Sequence, residues 1–205
     1  MPLAWTYRKD LGRVVTTVHQ GYLDRLSKWS DIQEYLPLLR SIAMSYPGVR
    51  VLELGSRAGN STLAFLAAAV ATRGHVTSVD IDNVLDGDLG MWASIPEWTF
   101  IHGDDMDPQV QDLLPQEVDV LFIDTSHLYD HTLAELESYM PRVVPGGIAL
   151  FHDTRWMPGC NGDKWDGTLP PVGRALEDYC AATGMKWTEI PEGYGLGILQ
   201  KGKSL

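Results

Sequence analysis

The sequence predicts an α/β protein built on a doubly wound, seven-stranded, mostly parallel sheet that ends in an antiparallel hairpin. Three observations predict it. Short apolar runs alternate with helical periodicity along most of the chain, which is typical of a parallel sheet covered by helices on both faces. The last two apolar runs have no helix between them, so they should pair antiparallel. The chain has 205 residues, enough for one such core.

The first 48 residues are predicted to form N-terminal helices that cap the main domain, residues 49–205. Apolar residues from Ile32 to Ile42 recur at helical spacing despite Pro37, and Pro47-Gly48 ends the helix. The strands are predicted at Val49–Leu54, His75–Asp80, Trp98–Gly103, Val118–Asp124, Ile148–Asp153, Lys186–Pro191 and Tyr194–Lys201. The main helices are predicted at Ser61–Thr72, Tyr129–Val143 and Val172–Ala182.

Composition and charge argue against several classes of function. The formal net charge is −11 with no Lys/Arg cluster, which opposes binding to nucleic acid. No stretch approaches the roughly 20 apolar residues that span a membrane, and the N-terminal residues contain no run of signal-peptide length. Cys160 and Cys180 lack metal-type spacing, and together these features favour a reducing, cytoplasmic location.

The first five predicted strands all end in polar residues. In order these are Glu53, Asp80, Asp104 with Asp105, Asp124 with His127, and His152 with Asp153. A lone Asp is most often a turn or helix-cap residue. However, the carboxyl ends of parallel strands meet in one crevice, where sheets of this type bind their ligands. The sequence therefore predicts that these groups line one ligand-binding site.

The loop VLELGSRAGNST after the first strand suggests which ligand this is. Gly55 and Gly59 let a backbone approach a ligand closely. Asp80 lies about 25 residues past Gly55, which suits a carboxylate that accepts from a ribose diol. Neither G-x-x-x-x-G-K-[ST] nor G-x-G-x-x-G is present. Because Glu53 would repel phosphate but tolerate a cation, the loop favours a nucleoside with a positively charged tail.

These residues resemble a known family. The pattern E-x-G-x-x-x-G-x-S is similar to motif I of class I S-adenosylmethionine-dependent methyltransferases, in particular small-molecule O-methyltransferases of the catechol and caffeoyl-CoA type. The stretch FIDTSHLYDHTLAELESYMPRVVPGGIALFHDT resembles bacterial methyltransferases of antibiotic and sugar-modifying pathways, and the similarity spans about residues 49–200. It implies a Rossmann-like fold and methyl transfer from S-adenosylmethionine.

The resemblance also implies which residues bind the cofactor. The loop above Glu53 would hold the methionine part, Asp80 and its neighbour Ile81 would lie at the ribose, and Asp104 with Asp105 would lie at the adenine. The loop residues concerned are Gly55, Ser56, Arg57, Gly59 and Ser61, and Asp124 would also border the cofactor. Arg57 stands where many relatives have a glycine, so it adds a charge to the loop.

In the metal-dependent members of the family, the resemblance implies a Mg²⁺ site at Asp124 and Asp153. The third ligand position, an Asn in the catechol type, is Thr154 here. The position of the family's lysine base is His127, whose ordinary pKa of about 6.5 suits a proton acceptor near neutral pH. His152 is the alternative base. His127 is otherwise a helix-start residue without a chemical role.

Substrate choice is expected to depend on two segments that flank the site. The long segment from Arg155 to Pro171 carries Trp156 and Trp165 and has the length of a functional lid. The N-terminal helices serve either as a second lid or as a homodimer contact, and the sequence leaves both open.

Three functions are compatible with these residues. The leading one is O-methylation of a small hydroxylated molecule, a natural product, sugar or phenol, with Mg²⁺ assistance. The second is metal-independent N-methylation on the same fold. The third is a nucleoside-binding module without catalysis. A nicotinamide-dependent oxidoreductase is disfavoured by the missing G-x-G-x-x-G and by the final hairpin.

Overall fold

Seven strands form one sheet in the computed structural model, which describes residues 16–156 and 169–202. Across the sheet, β7 runs antiparallel to β5 and β6, and the other pairings are parallel. The predicted fold class is confirmed. The strands are β1 (Arg50–Leu54), β2 (His75–Asp80), β3 (Trp98–His102), β4 (Val118–Ile123), β5 (Val143–His152), β6 (Trp187–Ile190) and β7 (Leu196–Gln200), in the spatial order β3-β2-β1-β4-β5-β7-β6.

Helices cover both faces of the sheet. Successive residues of β4 point to opposite faces, so Phe122 joins one apolar layer and Leu121 the other. The first layer is completed by α1, α2 and α3, and the second by α4, α5 and α6. The helices are α1 (described over residues 16–26), α2 (Leu36–Met44), α3 (Asn60–Thr72), α4 (Pro108–Gln111), α5 (Tyr129–Tyr139) and α6 (Pro171–Thr183).

The described part of the N-terminal segment shares the core of the first layer. Val18, Tyr22 and Leu39 are buried with residues of α3, and α3 is itself buried around most of its circumference. Pro37 lies in the first turn of α2, where a missing N–H breaks no helical hydrogen bond. The division at residue 48 and the capping role stay predictions.

Several element ends differ from those the sequence predicts. The helix predicted to reach Val143 ends at Tyr139 and gives way to a 3₁₀ turn, Met140–Arg142, because Pro141 cannot continue it. The fifth strand begins at Val143, five residues before the predicted start, and its register against β4 shifts between Val118 and Val120. Helix α4 has only four residues and was not predicted.

Parts of two predictions fall outside the described residues. Residues 1–15 of the N-terminal segment do, and so do residues 157–168 of the Arg155–Pro171 segment, including Cys160 and Trp165. Within the described ranges, no helix combines the length and apolarity needed to cross a bilayer. The cytoplasmic location stays a prediction.

The order of the strands fixes where a ligand can bind. The chain moves from β1 outward to β2 and β3, and then returns to β4 on the other side of β1. A crevice forms at such a switch point, above the carboxyl ends of the neighbouring strands. Here that edge is the one at which β1 and β4 end, next to the glycine loop.

Candidate active site

Close packing within the chain requires glycine at two positions of the glycine loop. Gly55 and Gly59 have φ of 84° and 78°, a left-handed conformation that disfavours other residues. A Cβ on Gly55 would collide with the carbonyl oxygen of Asp124, and one on Gly59 with the side chain of Leu89. The glycines therefore bring the loop against the end of β4, beside Asp124.

Asp80, at the end of β2, holds this loop in place. Its Oδ2 accepts hydrogen bonds from the backbone N–H groups of Ser56 at 2.7 Å and Arg57 at 2.8 Å, and its Oδ1 accepts from the N–H of Asp82 at 2.9 Å. A carboxylate has about four lone-pair sites, so these three bonds leave it able to accept from a ligand. The ribose contact of Asp80 stays a prediction, and its position on the cavity wall is compatible with it.

Glu53 lies beneath the loop, fully buried among hydroxyl groups. It accepts hydrogen bonds from Ser61 Oγ at 2.6 Å, Thr62 Oγ1 at 2.7 Å and Ser78 Oγ at 2.6 Å. Burial raises the pKa of Glu53 to about 7, although the three hydroxyls favour the charged form. Glu53 therefore ties β1, β2 and the start of α3 together below the ligand crevice, and Ser61 is engaged with it.

A cavity of about 280 Å³ opens above the ends of the first four strands. Its lining includes the residues predicted at the ribose and adenine, and Asp105 is buried there whereas Asp104 and Ile81 are exposed. Asp104 Oδ1 accepts from the N–H of Met106 at 2.8 Å, which fixes the turn after β3. The structure brings these predicted residues together on one wall: Asp80, Ile81, Asp104 and Asp105.

A second cavity, of about 300 Å³, adjoins the first, because Arg57 and Asp124 line both. The exposed indole of Trp29 and the side chain of Asp31 bring the N-terminal segment to its wall. Arg57 has φ of 42°, and its Nη1 donates to Asp31 Oδ2 at 2.8 Å. The side chain of Arg57, which stands where many relatives have a glycine, thus links the glycine loop to the N-terminal segment.

Four titratable side chains meet where β4 and β5 end. His127 Nε2 lies 3.1 Å from Asp124 Oδ1 and 2.9 Å from Asp153 Oδ2. His152 Nδ1 lies 3.3 Å from each of the same two oxygens. His127 and Asp153 have φ of 56° and 61°, a strained conformation that is common at functional sites. The structure therefore assembles the predicted catalytic groups in one cluster.

The contacts inside this cluster outweigh the cost of burying its charges. Burial opposes protonation of His127, but hydrogen bonds to Asp124 and Asp153 raise its pKa to about 9. The same balance raises the pKa of His152 to about 10. Burial would raise the carboxyl pKa values, yet the two imidazoles hold those of Asp124 and Asp153 below their usual range. These contacts thus favour the imidazolium form of both histidines and the carboxylate form of both acids.

The cluster also has the composition of a metal site. One ligating atom from each of Asp124, His152 and Asp153 lies within 4.8 Å of the others. Two carboxylates and an imidazole fit a divalent cation such as Mn²⁺, and the carboxylates alone fit Mg²⁺. Thr154 is not brought into this set: its buried hydroxyl donates to Glu189 Oε1 on β6 at 2.8 Å. His152 is the nearby donor in its place.

Aromatic side chains from three separate segments surround the cluster. The rings of His127 and Trp156 meet edge to face, with centroids 5.2 Å apart. Tyr35 and Tyr194 approach His152 in the same manner, at 5.7 Å and 6.5 Å. The sequence placed Trp156 in a predicted lid segment beside the site, whereas the contacts of Tyr35 and Tyr194 with His152 were missed. Tyr35 appeared in the sequence only as one apolar position of a helix.

The fold and the site together define a class. A doubly wound sheet with an antiparallel β6–β7 end, a glycine loop after β1 and an acid at the end of β2 is the arrangement of Rossmann-like methyltransferases. Residues 52–154, half of the chain, match the family described as "Methyltransferase domain", and the chain belongs to this family. The predicted enzyme class is confirmed. Comparison with curated proteins finds no matching sequence.

Solved structures with similar folds include other methyltransferases. The S-adenosylhomocysteine-bound methyltransferase PaMTH1 of Podospora anserina has 16% identity and a TM-score of 0.65, over 91% of this chain and 88% of that one. An O-methyltransferase from Bacillus cereus, in complex with S-adenosylhomocysteine, has 16% identity and a TM-score of 0.65, over 92% and 91%. MycE, from the mycinamycin biosynthetic pathway, has 21% identity and a TM-score of 0.61, over 93% of this chain but 55% of its own.

Proposed function

We propose that this protein transfers a methyl group from S-adenosylmethionine to a hydroxyl of a small molecule, with a divalent cation held by Asp124 and Asp153. The observation that carries the proposal is the cluster of two carboxylates and two imidazoles beside the glycine loop. Such a group of bases and anions can take a proton from a hydroxyl and orient its oxygen.

The two adjoining cavities support the cofactor assignment. The first one, lined by Asp80, Ile81 and Asp104, would take the adenosine. The second, lined by Ser56 and Ser61, would take the methionine end, where Arg57 offers a cation to its carboxylate. Because Gly55 and Gly59 carry no Cβ, the loop backbone packs closely against its neighbours, which leaves room for the cofactor to extend from the first cavity into the second. Two solved structures of similar fold contain S-adenosylhomocysteine, which supports S-adenosylmethionine as the cofactor.

His127 is the proposed general base. Asp124, Asp153 and His152 would hold a divalent cation, which would supply Lewis acidity toward a substrate hydroxyl and would offset the charge of the two carboxylates. With that charge offset, His127 would be free to lose its proton. His127 Nε2 then accepts the hydroxyl proton, and Trp156 packs against the edge of its ring and holds it. The oxygen attacks the methyl carbon as the carbon–sulfur bond breaks, and S-adenosylhomocysteine leaves.

The substrate proposed is a hydroxylated natural product, sugar or phenol. Trp29, at the mouth of the second cavity, and Trp156 offer flat apolar surfaces to a ring or a sugar face. The MycE structure, which contains Mg, S-adenosylhomocysteine and mycinamycin VI, favours natural-product chemistry on this fold. The formal charge of −11 continues to argue against nucleic acid, and a homodimer remains an open expectation.

Titration calorimetry on chelator-treated protein tests cofactor and cation together. We expect S-adenosylmethionine and S-adenosylhomocysteine to bind in the micromolar range, and Asp80→Ala to abolish binding. Asp112→Ala, the same change at an exposed helix end, is the matched control. We expect Mg²⁺ or Mn²⁺ to bind and Asp153→Asn to remove that binding. On a panel of phenols and glycosides, His127→Ala should lower turnover by about 100-fold.

The possible failures point to different alternatives. Methyl transfer that survives chelation and Asp153→Asn would favour the metal-independent N-methyltransferase. Tight nucleoside binding with no transfer to any acceptor would favour the non-catalytic module. No binding of either nucleoside by folded protein would overturn the proposed function.

A further inference from the structure

A second cluster of potential metal ligands lies outside the proposed catalytic group. His131 Nε2 is 3.4 Å from Asp105 Oδ1 and 3.4 Å from Glu135 Oε1, and one ligating atom of each residue lies within 4.8 Å of the others. Asp105 follows β3, whereas His131 and Glu135 lie one turn apart on α5. We propose that these three side chains bind a second divalent cation, of the type that accepts mixed nitrogen and oxygen ligands, such as Zn²⁺.

Two buried oxygen atoms point to a missing ligand here. The Glu135 side chain is 0% exposed and that of Asp105 is 10% exposed. Within the described part of the chain, Glu135 Oε2 and Asp105 Oδ2 find no hydrogen-bond partner. A buried carboxylate oxygen without a partner is costly, and native structures usually satisfy it. A cation between the two carboxylates gives each of them a second interaction.

The charges in the cluster suit a divalent cation. Two carboxylates and a neutral imidazole around a divalent cation sum to zero. Imidazole beside carboxylates suits Zn²⁺ or Mn²⁺, because Mg²⁺ and Ca²⁺ prefer oxygen ligands alone. Thr125 Oγ1 donates to Glu135 Oε1 at 2.7 Å, which orients the carboxylate as outer-shell partners of metal ligands do.

The position of the cluster allows a cation to enter from the first cavity and to connect two elements of the fold. His131 is 28% exposed and lines the first cavity, so an ion can enter from there. Once bound, the ion would tie the turn after β3 to α5, below the cavity proposed for adenosine. It would therefore fix the floor of that cavity and would not need to contact a reacting atom.

Counting bound Zn²⁺ tests this site separately from the proposed catalytic one. Chelator-treated protein is titrated with Zn²⁺ alone by calorimetry, and metal content is measured after gel filtration. In Asp153→Asn, which disables the first site, we expect one equivalent to remain. Adding His131→Ala should remove it, and Glu135→Gln is the second variant if the first does not fold. His19→Ala, the same change at an exposed helical position, should have no effect.

Each outcome bears on the inference. Zn²⁺ that stays in the Asp153→Asn/His131→Ala variant, or that is absent from Asp153→Asn alone, would overturn the second site and leave the cluster as an ion triad. The second site would be supported if the wild type binds a single equivalent of Zn²⁺, and if His131→Ala removes that equivalent whereas Asp153→Asn leaves it bound. That same result would count against the cation in the proposed function, so the two failures are distinguishable.

Discussion

At the residue scale, two physical reasons explain why the glycine loop has glycine at positions 55 and 59. A spacing of four between Gly55 and Gly59 suggests a close approach to a ligand, but the structure also gives each glycine a partner inside the chain. The neighbour of Gly55 is the backbone carbonyl of Asp124, which cannot rotate away, whereas that of Gly59 is the flexible side chain of Leu89. The two positions should therefore differ in their tolerance to substitution.

Three alanine substitutions separate the backbone cost from the collision. Gly184 has φ of 72°, and a Cβ added there would meet no heavy atom within 4 Å, so Gly184→Ala should cost only the roughly 1–2 kcal/mol of a left-handed backbone. Gly55→Ala should cost about 2 kcal/mol more, because the loop must also move away from Asp124. Gly59→Ala should fall between them. Denaturant unfolding of the three variants measures this order, and equal losses would contradict the collision.

At the element scale, the N-terminal segment belongs to the site as much as to the core. Helices α1 and α2 pack on α3, and the Tyr35 hydroxyl accepts from the N–H of Gly195 at 3.2 Å in the turn before β7. The sequence predicted this segment as a cap from its apolar periodicity, which shows that a helix has a buried face. Periodicity cannot show which strand ends that helix reaches, so the contact of Tyr35 with His152 was missed.

The ion pair between Arg57 and Asp31 allows a test of whether the N-terminal segment takes part in cofactor binding. If Arg57 contacts the methionine carboxylate, Arg57→Ala should weaken S-adenosylhomocysteine binding by about tenfold, the value of one hydrogen bond to a charged group. Asp31→Asn, which removes the competing carboxylate, should leave that affinity unchanged or raise it. Calorimetry on both variants gives the comparison. Equal losses in the two would mean that the ion pair only orders the loop.

At the scale of the whole molecule, the sequence predicts the fold better than it predicts the contacts. Alternating strands and helices determine where the carboxyl ends lie, so Asp80, Asp124 and Asp153 could be assigned to one crevice from the sequence alone. The neighbours of Thr154 depend on how β6 and β7 add to the sheet, and its bond to Glu189 was therefore invisible. The His131 cluster was missed because β3 and α5 meet only in three dimensions.

Ligand-linked stability tests the assembled molecule. A ligand that binds only the folded state adds about 2.7 kcal/mol at 100 times its Kd, which for a chain of this size raises Tm by roughly 5–10 °C. We expect S-adenosylhomocysteine to give this shift in a thermal melt. ATP shares the adenosine but should give little, because its phosphates would meet Asp124 and Asp153 at a loop without a phosphate-binding motif. Equal shifts from the two would mean that the site recognises adenosine alone, and that the acids beside the glycine loop do not select a cationic tail.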